Sequence, residues 1–339
     1  MKRVLILIII MVCLFFYPVQ AKKLASLPEV GKPLYMAVDN GQIIITDLTI
    51  SVHVYSLKDF KYQFRLSRRG EGPGEYLIPP LLYTDPGYIY LFSINKGIFF
   101  SRTGKLIREV KTPSKTIMMA PVGKNFICRI EKYNERTQNY YNDFSIYTPS
   151  KEDLEYKTMM FYYEYPPRQM RGGKWDYNMV REFKDFVIYQ DNVFIGDAGR
   201  GLFVETFDSS GNKINRIHLK AEKLKVTEEY KKNYMSLLET DPTYQAVGSQ
   251  YNLIFPEYFP GFYRFSVNDG KVYFLTYKKM GKSREVIVTD LKGKELKRTS
   301  VPWIENEISI NYSIDNGKFY YLEENEETEE WELHMVEIG

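Results

Sequence analysis

Residues 162–177 read YYEYPPRQMRGGKWDY, so that Arg168, Arg171 and Lys174 are interleaved with Tyr165, Trp175 and Tyr177. Guanidinium and ammonium groups hold an anion through charge-assisted hydrogen bonds, and Trp and Tyr rings offer flat apolar faces to a sugar or another ring. The segment 256–264, PEYFPGFYR, repeats the mixture with Tyr258, Phe259, Tyr263 and Arg264. If both segments emerge on the same rim of the fold, they form an aromatic, cationic mouth over the central channel that binds ligand. The plainer alternative is a pair of linkers whose rings pack inward.

Signals for catalysis are poor. His53, His218 and His334 lie in separate strand-like runs, which offers neither a metal trio nor a His-based triad. Aspartates gather in turns, where their own backbone bonding explains them. The acidic run 323–332, EENEETEEWE, lacks the spaced ligands of a calcium loop and reads as a solvated hairpin tip. Neither a cofactor nor a metal is expected, and no catalytic residue is nominated.

A third motif follows the first strand set. In Arg68-Arg69-Gly70-Glu71-Gly72-Pro73-Gly74-Glu75-Tyr76 three alternate glycines allow positive φ and Pro73 fixes one dihedral, so the loop is tightly shaped. It is not a phosphate loop, because no Gly-Lys-Ser/Thr follows and Pro79-Pro80 forbids the next helix.

The elements that must carry these loops are legible as a repeat. Six times a turn signal precedes a short β-rich run: Asp39-Asn40-Gly41, Asp85-Pro86-Gly87, Gly123-Lys124-Asn125, Asp191-Asn192, Asp269-Gly270 and Asp315-Asn316-Gly317. The spacings are 46, 38, 68, 78 and 46 residues, which suits four-stranded units of about 40–50 residues with two insertions. Second polar turns recur at 58–59, 103–105, 150–153, 210–213 and 292–294, one short of six. The last unit lacks a strand, and the segment 22–28, KKLASLP, follows the pattern of the fifth unit's last strand. The N-terminal strand is therefore predicted to close the ring beside residues 331–338. The longer insertion, about 221–250, carries a helix capped by Thr227, with Tyr230, Tyr234, Leu237 and Leu238 on one face.

In the loop of Gly70, Gly72, Pro73, Gly74, Glu75 and Tyr76, and more loosely in its blade pattern, the chain resembles a family of exported bacterial six-bladed β-propellers. These are related in shape to NHL and TolB-like propellers. The resemblance implies an all-β, six-bladed propeller of four-stranded antiparallel blades, with a helical insertion between the fourth and fifth. It also implies a structural role for the loop, with Glu75 accepting backbone or Arg bonds and Tyr76 wedged between blades. Lactonase-like and lyase-like propellers hold a metal among inner-strand Asp, Glu and Asn residues, so a metal-dependent enzyme on this ring is the alternative to a non-catalytic binding module.

Composition bounds the rest. Lys2 and Arg3, an apolar run at 4–17 and small residues before Lys22 read as an export signal, residues 1–21, followed by one domain at 22–339. The run is shorter than the ~20 residues a spanning helix needs. Membrane attachment is expected only through lipidation at Cys13. The formal charge of +3 falls to +1 without Lys2 and Arg3, which is no footprint for nucleic acid. Cys128 alone survives cleavage, in an apolar strand, so the core must hold the fold without disulfides. The expected address is periplasm or cell surface, the expected state a monomer, and the expected partner a glycan, a peptide or an envelope protein. The exported protein is expected to begin at Lys22, which the intact mass of material recovered from outside the cytoplasm checks; retention of residues 1–21 would contradict it.

Overall fold

In the strand Gln42–Asp47 the consecutive residues Ile43, Ile44 and Ile45 are all fully buried, so both faces of the strand meet protein. The same holds for Ile89-Tyr90-Leu91, Val193-Phe194-Ile195 and Val272-Tyr273-Phe274. A strand apolar on both sides needs a sheet packed against each face. That requirement, repeated in every unit, generates the architecture.

The computed structural model of the chain describes residues 21–66, 68–137, 139–150, 154–164, 170–180, 182–239, 245, 248–302 and 311–338. The segment expected to be an export signal, residues 1–21, lies outside them apart from Ala21. Among the described residues six four-stranded antiparallel sheets follow one another. The first is Pro33–Asp39, Gln42–Asp47, Val52–Ser56 and Tyr62–Arg65; the second runs from Leu81–Asp85 to Leu106–Lys111. The third runs from Thr116–Val122 to Leu154–Glu164 and the fourth from Lys184–Tyr189 to Lys213–Leu219. The fifth runs from Arg264–Asn268 to Glu295–Pro302. The sixth combines Tyr312–Asp315, Lys318–Glu324 and Trp331–Glu337 with the N-terminal strand Lys22–Ser26.

Six apolar layers separate these sheets. Val54 and Tyr76 meet Leu91 between the first and second, Tyr90 and Phe99 meet Phe126 between the second and third, and Ile146 meets Phe186 between the third and fourth. Phe194 meets Phe265, Val288 meets Phe319, and Tyr320 meets Ile43 across the remaining three interfaces. The last of these interfaces joins the sixth sheet to the first, so the ring is closed. Cys128 lies in the second of these layers, and burial pushes its thiol well above the ordinary range, out of reach of thiolate chemistry.

Closure is antiparallel. Lys22 pairs with Met335 and Ser26 with Glu332, the Lys23 ammonium reaches Glu332 Oε1 at 2.5 Å, and Leu27 N donates to Trp331 O at 2.8 Å. Leu27 is wholly buried beside Leu333. The strand covers an edge that would otherwise stand open.

Turns between first and second strands latch adjacent blades. Asn40 Nδ2 donates to Pro86 O at 3.3 Å, Gly123 N to Asp191 Oδ1 at 2.9 Å, and Gly317 N to Asp269 Oδ2 at 2.9 Å. Asn40 and Gly41 have φ of 49° and 74°, the left-handed pair that a two-residue hairpin turn matching strand twist requires. This is the physical content of the repeated Asp/Asn-Gly signal.

The three histidines are separately engaged. His53 Nε2 lies 3.0 Å from Asp47 Oδ2 inside the first blade, and His334 Nε2 lies 3.2 Å from Glu332 Oε2 in the sixth. Burial alone would raise the Asp47 carboxyl, but bonds from His53, Thr49, Ser51 and Gly31 outweigh it and hold the group below its ordinary 3.8. A depressed carboxylate contributes stability that is present above that value and is lost as pH falls through the lower folded-state value. Asp47→Ala is expected to cost about 3 kcal/mol at pH 7, as for a broken buried pair, and to flatten the acid side of a denaturation profile. Deleting residues 22–26 is expected to give aggregating protein with a lowered melting temperature, checked by light scattering and calorimetry; a monomeric deletion variant of unchanged stability would contradict closure.

Candidate functional site

An even number of antiparallel strands per blade has a geometric consequence. Every crossing from one blade's last strand to the next blade's first strand falls on the same rim as the turns between second and third strands. The other rim holds only the short turns described above. The loop 66–80 and both insertions, 165–183 and 220–263, are such crossings, so all three share the crossover rim.

The rims differ sharply in chemistry. Of fifteen large apolar side chains exposed among the described residues, eleven belong to crossover-rim turns, crossings or strand ends, including Ile94, Tyr133, Tyr140 and Met280. The other four, Tyr62, Ile107, Ile214 and Leu296, sit on outermost strands. None lies in a turn of the opposite rim, where Asp, Asn, Gly and Lys predominate.

The two insertions join in a way the sequence did not announce. Met170–Arg171 and Lys174–Asn178 form a hairpin, and the latter strand pairs in parallel with Tyr251–Ile254 from the second insertion. Gly172 and Gly173, with φ of 58° and 77°, make the hairpin turn. Arg171 Nε lies 2.9 Å from Asp176 Oδ2, and Asn252 Nδ2 donates to Arg171 O at 2.9 Å and to Asp176 Oδ1 at 3.2 Å. Tyr177 meets Tyr251 edge to face at 5.8 Å. Lys174 and Trp175 project from this flap, the indole 41% exposed. Tyr165 and Arg168 lie outside the described residues.

The second insertion continues into the helix Glu228–Glu239, where Tyr230 N donates to Thr227 Oγ1 at 3.1 Å. Tyr230 packs on Phe259 at 4.8 Å and Tyr234 on Phe255 at 6.2 Å. Phe259 in turn stacks on Tyr277 of the fifth blade at 4.5 Å. Two of the candidate ligand-binding rings, Phe259 and Tyr263, are thus engaged in packing the insertion onto the ring. Tyr258 remains 37% exposed, with the Lys223 ammonium 5.6 Å from its ring centre.

Between the insertions and the fourth blade lies a cavity of about 600 Å³. Its walls are the fourth blade's turn Ala198–Arg200, the residues following its last strand, and Pro256 to Gly261. Sequence reading missed Arg200, His218, Lys220 and Lys223, which line it. They are ordinary surface types, and Arg200 stands 18–23 residues before the other three, so only the fold groups it with them. Gly261 N donates to Ala198 O at 2.8 Å, and a Cβ on Gly261 would run into the Gly201 backbone.

The glycine loop is placed against the first two blades. Glu75 accepts from Arg68 Nε at 2.6 Å and Gly72 N at 3.0 Å, bonds that hold its carboxyl below the usual range. Gly74 N donates to Glu109 Oε1 at 2.7 Å. The Tyr76 ring is buried in the first apolar layer, its hydroxyl donating to Leu91 O at 3.0 Å. Gly70 and Gly72 leave the room that the Glu75 side chain occupies.

Polar first-strand residues, Lys115, Lys184, Arg264, Ser266, Asn311 and Ser313, lean cationic, and the sequence leaves open which of them face the axis. The structure sorts them. Arg264 acts electrostatically on Tyr35, Asp185 and Tyr312, residues of three other first strands, which places it at the axis. Lys184 instead pairs with Glu182 and, at 3.2 Å, with Asp197, so its neighbour Asp185 faces inward. Burial raises the Asp185 carboxyl, with Arg129 and Arg264 pulling it partway back. The axis is therefore mixed in charge.

Among the described residues no three His, Cys, Asp or Glu side chains converge as metal ligands, and no helix is long and apolar enough to cross a membrane. A closed ring of four-stranded antiparallel sheets is a β-propeller. No known family model matches the sequence, and no curated protein does. Solved structures that superimpose include the computationally designed Ika8 protein, 8% identical over 94% of this chain and 100% of that one, TM-score 0.45. BamB from Moraxella catarrhalis is 8% identical over 92% and 86%, TM-score 0.37. The Cps50 (Swd1) β-propeller domain from Myceliophteria thermophila is 8% identical over 94% and 100%, TM-score 0.45.

Gly261→Ala is expected to cost more than about 2 kcal/mol, because backbone rather than a movable side chain blocks the new methyl. Thermal denaturation checks it; a variant as stable as the parent would show that the two loops do not touch.

Proposed function

We propose that this chain is a non-catalytic propeller of the cell envelope or extracellular space that binds a glycan, peptide or partner protein at its crossover rim. Its kinship with NHL and TolB-like propellers rests on the 70–76 loop. One observation carries the reading: both insertions and most exposed large apolar side chains gather on a single rim, joined there by the flap. Single exposed apolar residues are ordinary on any surface, whereas their segregation to one side is a mark of an interaction face. Arg171, Lys174, Trp175 and Tyr177 are proposed to contribute through the flap. Tyr258 contributes at the cavity lip, and Arg264 at the axis.

The test is alanine substitution of Arg168, Arg171 and Trp175, with Lys124→Ala on the opposite rim as control. Screening on immobilised glycans and peptides is expected to find a ligand whose binding falls at least about tenfold in the Trp175 variant, the scale of a lost aromatic contact plus its burial. Binding unchanged in all three variants would overturn the reading. Metal analysis of purified protein separates it from the lactonase-like or lyase-like alternative, for which a stoichiometric divalent ion is expected.

A further inference from the structure

The cavity beside the fourth blade has a chemical character that narrows what it would hold. Three cations line it, Arg200, Lys220 and Lys223, and among the described residues none of them has a carboxylate partner. The two carboxylates in the lining are already engaged: Glu182 with Lys184, and Glu222 with Lys278 at 2.8 Å. Arg200 is also held in place. The Arg200 guanidinium lies 3.7 Å from the Phe203 ring centre, and its turn is capped by Asp197 Oδ1, which accepts from Gly199 N at 3.1 Å. Arg200 O can only accept, so His218 Nε2, 3.1 Å away, carries the proton and leaves Nδ1 as an acceptor in the neutral ring.

Other groups suit hydroxyls and ring faces. Asn178 Oδ1 is used by Val180 N at 3.0 Å, which leaves the amide NH₂ of that side chain directed elsewhere. Tyr258, with Lys223 5.6 Å from its ring centre, is 37% exposed and offers ring surface to a sugar. Val180, Leu219, Pro256 and Phe259 supply apolar wall. A volume of about 600 Å³ lies inside the range of small-ligand pockets, roughly 300–1,000 Å³, and suits one or two sugar rings better than an extended peptide, which needs a groove open at both ends.

We infer that this cavity is a subsite for an acidic saccharide, with the anionic group at Arg200, Lys220 and Lys223 and a sugar ring against Tyr258. This rests on the reading of the crossover rim as the binding face, and gives it a ligand class. The experiment is isothermal titration of the full exported chain with four probes: a uronic-acid disaccharide, a sulfated disaccharide, a neutral disaccharide and an oligoglutamate peptide. Arg200→Ala, Lys223→Ala and Trp175→Ala are compared with the parent, with melting temperatures as fold controls and Arg200→Lys as the conservative variant.

Binding of either acidic sugar, weakened about tenfold or more by Arg200→Ala and by Lys223→Ala and partly restored in Arg200→Lys, supports the proposal. The stronger of the two probes tells carboxylate from sulfate. Equal binding of the neutral disaccharide overturns the anionic assignment, and preferential binding of oligoglutamate through the same residues overturns the sugar. Binding that responds only to Trp175→Ala moves the ligand to the flap, overturning the cavity proposal while leaving the rim as the binding face. Failure of all four probes overturns the subsite, and only the wider screen of the rim variants then bears on the rim itself.

Discussion

Everything in this molecule depends on sheets that are apolar on both faces. A strand such as Gln42–Asp47, buried on either side, cannot terminate a stack, because its outward face would meet water. Burying a large aliphatic or aromatic side chain contributes roughly 1.5–3 kcal/mol, and each interface holds several. The only arrangement that gives every sheet two neighbours is a ring, and the last interface, between Tyr320 and Ile43, exists only if the ring closes. The short N-terminal strand is what aligns the sixth sheet for that contact. Its Lys23 and Glu332 pair adds direction rather than much energy, since the lysine is half exposed.

Closure with four strands per blade then divides the surface into unlike halves. The turn rim is fixed by bonds between neighbouring hairpins, such as Gly123 N to Asp191 and Gly317 N to Asp269, and tolerates little elaboration. The crossover rim carries connections whose length the core does not constrain, and the chain places all its large insertions there. The insertions are ordered by each other as much as by the ring: the parallel pairing of Lys174–Asn178 with Tyr251–Ile254 satisfies backbone groups that neither segment could satisfy alone.

The repeat was legible because a hairpin turn with left-handed φ needs Asn, Asp or Gly at fixed places, and because two-sided burial writes itself as runs like IIIT and YFLT. The closing strand was legible for the same reason, as a deficit at one end matched by a surplus at the other. What was hidden depended on pairings between distant segments. Trp175 and Tyr251 are register partners across 76 residues, and neither strand carries an alternation strong enough to announce itself. The cavity cations were hidden because Arg200, Lys220 and Lys223 are unremarkable one by one. The axis was open for a different reason: a shift of one residue in strand parity decides whether Lys184 or Asp185 faces inward, and the sequence of a short strand does not fix that parity.

Charge on the crossover rim is also uneven in a way that bears on approach to the cavity. The sixth blade's hairpin brings Glu324, Glu326, Glu327, Glu329 and Glu330 to this rim, and none of them pairs with a cation among the described residues. At physiological salt fields decay over about 8 Å, so this hairpin repels an anion locally without opposing its binding two blades away. Among the described residues the rim is thus acidic at the sixth-blade hairpin and cationic at the fourth-blade cavity. The same arrangement explains how a chain of near-neutral charge can present a cationic pocket: its charges balance in sum and are separated in space.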